Sequence, residues 1–82
     1  KELNEVEKIS KKFLNLKIKI KNVKNINKFL KNSKKELENF FRIKIEYLEN
    51  RDVKNLNISN KPQGSKIFLS YYFKGIRLID NF

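Results

Sequence analysis

The hydrophobic period of this chain changes once, and that change limits the folds open to it. Through the first half, apolar residues recur at intervals of three and four. From Ile43 onward they recur at intervals of two. The first spacing lays an apolar stripe along one side of an α-helix, and the second puts alternate side chains on one face of a strand. A chain built of helices first and strands second buries both apolar surfaces by packing the helices on the sheet, an α+β arrangement.

Residues 2–17 read as the first helix, roughly 24 Å long at 1.5 Å per residue. Leu3, Val6, Ile9, Phe13 and Leu16 form its stripe. Glu2, Glu5 and Glu7 near its start and Lys11, Lys12 and Lys17 toward its end complement the helix dipole. Residues 16–21, Leu-Lys-Ile-Lys-Ile-Lys, alternate strictly. That pattern fits a strand, and it also fits the end of the helix running into a connector; the second is the preferred reading. Residues 23–41 read as a second helix, with Val23, Ile26, Phe29, Leu30, Leu37, Phe40 and Phe41 on one face. Asn22 or Asn25 is placed to cap its start, and Lys34 and Lys35 are spaced to pair with Glu38. The link between the helices is short, which predicts antiparallel packing.

In the second half, Ile43, Ile45 and Tyr47 alternate with Lys44, Glu46 and Leu48, the pattern of a half-buried strand with Tyr47 between sheet and helices. Asp52 is placed to cap a short helical turn over Val53–Leu56. Residues 57–65 contain Pro62 and Gly64 and read as a loop. Lys66–Phe73 is the strongest strand, with Ile67, Leu69, Tyr71 and Phe73 on one face and Phe68, Ser70 and Tyr72 on the other. Lys74-Gly75 is a tight turn, with Gly75 accepting the positive φ that hairpins need, and Ile76–Asn81 returns as the last strand. The expected fold is therefore two N-terminal helices packed on a small three-stranded, mainly antiparallel sheet, in one domain over residues 1–82. A domain this small buries only about 60% of its unfolded surface and is suited to leaning on a neighbour. The chain opens Lys1-Glu2-Leu3 and contains no Met, so we expect a piece of a longer protein.

Catalytic chemistry is sparse. There is no Cys and no His, which removes thiolate nucleophiles, the commonest general base and the commonest zinc ligands. Gly64 and Gly75 stand alone, so there is no Gly-rich phosphate cradle. Glu46 and Glu49 lie three apart on a strand, which predicts opposite faces and no carboxylate pair. No catalytic, cofactor-binding or metal-binding residue is expected. Without a signal segment, a membrane-length apolar run or cysteines, a cytoplasmic location is expected and no membrane partner.

The formal charge is +11. Twelve Lys against five acids lie in residues 1–41, and eight Lys or Arg against four acids lie in residues 42–82, so the excess is spread along the chain. Lys dominates, with Arg only at Arg42, Arg51 and Arg77. Lys, Asn and Ile are inflated together, as an AT-rich genome imposes. Nucleic-acid binders concentrate charge on one face and favour Arg. The aromatic-basic run Tyr71-Tyr72-Phe73-Lys74-Gly75 also lacks the stacking positions of an RNA-recognition strand, because Ile76-Arg77-Leu78 follows. A small basic nucleic-acid-binding module is the alternative reading, and no nucleic-acid partner is expected.

Two stretches carry more specific text. Arg77-Leu78-Ile79-Asp80-Asn81 closes a hairpin turned through Gly75. Upstream, Ile45-Glu46-Tyr47-Leu48-Glu49 is followed by Asp52 and Leu56. Together, in this order and at this separation, they resemble the C-terminal domain of pantothenate synthetases (pantoate–β-alanine ligases). The turn Phe73-Lys74-Gly75-Ile76 departs from that family's common Gly-Lys-Thr wording. The resemblance implies a ligase that adenylates pantoate with ATP and Mg²⁺ and then passes the acyl group to β-alanine. It implies that catalysis and substrate binding belong to an N-terminal nucleotidyltransferase domain of the same chain, which would be this domain's partner. This domain would act as a lid and be inactive alone. Tyr47, Asp52, Gly75, Arg77, Leu78, Ile79, Asp80 and Asn81 would be signature residues with structural roles. Arg77 and Asp80, three apart and so on opposite faces, would each anchor a turn or neighbouring backbone, or one of them would touch the catalytic domain on closure.

Overall fold

The computed structural model describes the backbone of residues 2–82 and the side chains of residues 5–82. The side chains of Leu3, expected to start the first stripe, and of Glu2, expected as a first-turn acid, lie outside the described residues. Helix α1 spans Glu2–Lys19, a 3₁₀ turn follows at Ile20–Asn22, and helix α2 spans Ile26–Phe41. Strands β1 (Lys44–Asp52), β2 (Ser65–Phe73) and β3 (Ile76–Asn81) form one antiparallel sheet in the order β1-β2-β3. The α+β architecture expected from the change of period is the one observed.

The alternating segment at residues 16–21 is helical. Leu16 and Ile20 are four apart, share one helical face and are both buried, while Ile18 is left 65% exposed. Helix α2 starts later than expected, because Asn25 rather than Asn22 is its cap: the Asn25 Oδ1 accepts from Lys28 N–H at 3.1 Å. Its buried face is Ile26, Leu30, Ser33 and Leu37, with Phe29 and Phe41 partly covered. Phe40, expected on that face, stands 71% exposed with its ring edge-on to Phe41. Glu38 is spent on the backbone rather than on Lys34 or Lys35: its Oε2 accepts from Ile45 N–H at 2.8 Å.

Helix α1 lies over β2, with the Phe13 and Tyr71 rings 5.3 Å apart and Lys17 donating to Ser65 O. Helix α2 lies over β1, held by Glu38 at one end and by Asn27 at the other, where Asn27 Oδ1 accepts from Asn50 N–H at 2.8 Å. Their inward residues join Ile43, Ile45, Leu48, Ile67, Leu69 and Tyr71 in one core.

The expected face of Tyr47 is corrected by a bulge. The β1–β2 register shifts between Ile45 and Tyr47, so Glu46 is an extra residue without a partner of its own on β2. Ile45 faces the helices, but beyond the bulge Leu48 and Asn50 take that face. Tyr47 pairs with Ser70 and lies on the outer face, away from the helices. For the same reason Glu46 and Glu49 share that outer face instead of pointing opposite ways: Glu46 bonds to Ser70, and Glu49 pairs with Phe68.

Asp52 ends β1 and caps a single turn, closed by Leu56 N–H on Asp52 O at 2.9 Å, the bond of one helical turn that goes no further. Its Oδ1 accepts from Lys54 N–H and Asn55 N–H, and Leu56 has φ 61°. At the second hairpin Lys74 and Gly75 have φ 50° and 81°, the pair of positive values of a type I′ turn. Nothing lies within 4 Å of a Cβ built at Gly75, so Gly75 is required by its backbone conformation and not by space.

Candidate functional site

The signature residues gather on two strands that flank β2. Arg77 stands on β3 opposite Tyr72, on the outer face. Its Nε and Nη2 donate to Glu46 Oε1 at 2.9 and 2.7 Å, and Ser70 Oγ donates to the same oxygen at 2.8 Å. One carboxylate from β1 thus ties β2 and β3. Hydrogen bonding from Arg77, then from Ser70, holds the Glu46 carboxyl below the usual range, and Glu46 in turn raises the Arg77 guanidinium. A carboxyl in that state stays charged at neutral pH and is a poor general acid. Beside it on the same face, Arg51 pairs with Glu49 at 3.0 Å and donates to Leu56 O at 2.6 Å. Tyr47 lines a shallow depression of about 260 Å³ with Glu49, Arg51, Leu56 and Phe68. The two glutamates share a face, but each is matched to its own arginine.

The other signature residues divide between the faces. Leu78 is partly buried against the core, and Ile79 is 60% exposed on the outer face. Asp80 lies on the helix side opposite Leu69, and its Oδ1 accepts from Asn81 N–H at 2.8 Å. Arg77 and Asp80 do face opposite sides, Arg77 anchored to a carboxylate and Asp80 to neighbouring backbone. Near Asp80 the Tyr71 hydroxyl is pushed up, chiefly by burial, with Ser10 hydrogen-bonded to it in opposition.

Sequence reading missed Ser70, Glu46 as a cross-sheet tie, and a buried amide network. The Asn50 side chain is fully buried and its Nδ2 donates to Ser59 O (3.0 Å), Lys61 O (3.4 Å) and Ser65 Oγ (3.0 Å). Asn27 Nδ2 also reaches Ser59 O at 2.8 Å, so α2, β1 and the loop before β2 share one set of bonds. No sequence signal pointed to it: alternation continued from Ile45 and Tyr47 would place Asn50 on the outer face, and only the bulge turns it inward. A groove of about 450 Å³ also runs between α1 and α2, floored by Leu16, Phe29 and Leu37 with Lys12 and Lys19 on its sides. Among the described residues no three His, Cys, Asp or Glu side chains converge as a metal site, and no helix is long and apolar enough to cross a membrane. No protein-family model, no curated protein and no solved structure matches the chain.

Proposed function

We propose that this chain is the C-terminal lid domain of a cytoplasmic pantothenate synthetase, and that it serves catalysis by covering the acyl adenylate made in a separate nucleotidyltransferase domain. The observation that carries the reading is the Glu46–Arg77 pair. Glu46 belongs to one signature stretch and Arg77 to the other, 31 residues apart, and the two meet at 2.7 Å across the sheet. The helix–helix–strand–hairpin order also supports it. ATP and Mg²⁺ would be held by the other domain: the described residues offer neither a phosphate cradle nor a carboxylate cluster, so no step of adenylation or amide formation is assigned to this chain. A lid contributes by excluding water, which preserves a hydrolysable intermediate until the amine attacks.

The test joins this chain to a pantothenate synthetase catalytic domain stripped of its own C-terminal part. Pantothenate formed from ATP, pantoate and β-alanine is measured against pyrophosphate released. The joined protein should make about one pantothenate per pyrophosphate, whereas the bare catalytic domain should waste adenylate by hydrolysis. This chain alone should yield no pantothenate. An unchanged ratio on joining, or turnover by the chain alone, rejects the reading.

A further inference from the structure

The sheet has two edges, and the chain treats them differently. Along β1 the outward backbone groups are mostly taken, those of Leu48 excepted. Ile45 N–H donates to Glu38 Oε2, Asn50 N–H to Asn27 Oδ1 and Asp52 N–H to Asn57 O, while Asn50 O accepts from Ser59 N–H. Along β3 they are not. Reciprocal bonds between Ile67 and Phe82 set the phase of the β2–β3 ladder. With the observed register, Asp80, Leu78 and Ile76 bond to β2, and the N–H and C=O of Arg77, Ile79 and Asn81 point away from the sheet. Among the described residues, only the Asn81 N–H of this set finds a partner, the Asp80 carboxylate. Two donors and three acceptors remain at the spacing of a β-ladder. Ile76 and Ile79 are 63% and 60% exposed beside them. The strand Ile76–Asn81 has no Pro, no Lys and no bulge to blunt the edge, and its two charges, Arg77 and Asp80, stand on the two faces of the sheet.

We propose that the open edge of β3 binds an extended acidic polypeptide segment, which joins the sheet as a fourth strand. The backbone pattern selects an extended peptide, because only a strand presents complementary groups at that period. A cavity of about 210 Å³ adjoins the edge between α1 and β3, lined by Val6, Leu14, Tyr71 and Leu78 and also by Asp80, and takes an uncharged, apolar side chain from the inner face of the added strand. Charge selects an acidic segment. The chain carries +11, and beside the end of β3 Lys17, Lys21 and Lys66 lie close enough that the other two, after burial itself, depress the Lys17 ammonium. A second copy is the wrong occupant. Two such chains repel one another, and self-pairing about Ile79 sets Leu78 of one copy opposite Asp80 of the other. The inference does not depend on the ligase reading.

The probe is a short labelled peptide with Thr, Val and Leu at its centre and acidic residues at both ends, titrated by fluorescence anisotropy with the full chain. N-methylating the two central amides that face β3 should weaken binding about tenfold or more, through lost hydrogen bonds. Exchanging the acids for Lys should weaken it similarly. Ile79→Pro removes an outward N–H without touching the β2–β3 ladder and should weaken the parent peptide alone. Leu14→Asp, at an exposed position on the cavity rim, should do likewise by charge. Amide shifts in NMR should centre on Arg77 and Ile79. Equal affinity for the N-methylated peptide, shifts confined to another face, displacement by an RNA oligonucleotide at a different face, or a chain dimer dissolved by Ile79→Pro would each overturn the proposal.

Discussion

Truncating Asn50 to Ala tests the idea that a buried amide, rather than apolar packing, holds the 57–64 loop to the domain. Asn50 is fully buried and donates two well-formed bonds, to Ser59 O and Ser65 Oγ, with a third, longer one to Lys61 O. Two of the three acceptors keep another donor after truncation, since Asn27 Nδ2 still reaches Ser59 O and Ser65 Oγ still reaches Lys61 O at 2.6 Å. Little is therefore left unpaired, and the loss is the bonds' own contribution, about 1 kcal/mol each. The small void adds about 1 kcal/mol. Against this, Asn50 Oδ1 is buried without a partner in the wild type, and its removal returns part of that sum. The net expectation is about 2 kcal/mol. For a domain of this size each kcal/mol lowers Tm by about 4–8 °C, so a drop of about 8–16 °C follows in thermal unfolding monitored by circular dichroism. Asn27 Nδ2 is the other donor to Ser59 O, so the double variant with Asn27→Ala strips that acceptor of both and should lose more than the sum of the two single losses. A Tm within about 3 °C of wild type, or strict additivity, would refute the reasoning.

Two further predictions concern the sheet. Because hydrogen bonds from Arg77 and Ser70 lower the Glu46 pKa, its stabilising effect is full above the ordinary Glu value and fades as pH falls through the lowered one. Glu46→Gln should flatten the acid limb of a Tm-against-pH curve and leave the limb above neutrality unchanged; identical acid limbs would count against the tie. Lys74 holds φ 50° at the first position of a type I′ turn, where Asn is favoured over Lys. Lys74→Asn should raise stability by about 0.5–1 kcal/mol in urea unfolding, in line with relief of left-handed strain, and a loss would show that contacts of the Lys74 side chain outweigh its backbone strain.

What the sequence disclosed was mostly periodic. Ile67, Leu69 and Tyr71 announced the central strand and its buried face, and Gly75 marked the turn after it. The Leu16–Lys21 stretch shows the weakness of that signal, since Leu16 and Ile20 satisfy both a two-residue and a four-residue spacing, and only the core they enter decides between them. The bulge left no local mark, because Glu46 looks like any polar residue in an alternating strand; its consequence, Tyr47 on the outer face, needs the partner strand to be known. The Asn27–Asn50–Ser59 network was illegible for a related reason: its members are 23 and 9 residues apart and acquire meaning only by meeting. At the candidate site, the opposite orientations of Arg77 and Asp80 followed from strand geometry alone, whereas the partner of Arg77 did not.

The bulge also gives β1 a removable residue. On either side of Glu46, Ile45 and Tyr47 face consecutive residues of β2, Tyr71 and Ser70. Excising Glu46 would therefore splice the strand into an unbroken ladder, with no other side chain changing sides. Single-residue deletion inside a strand ordinarily turns everything beyond it inside out. Here it would cost Arg77 and Ser70 their shared carboxylate and leave the hydrophobic layer where it is, so length variation among related chains can be absorbed in the middle of the sheet as readily as in its loops.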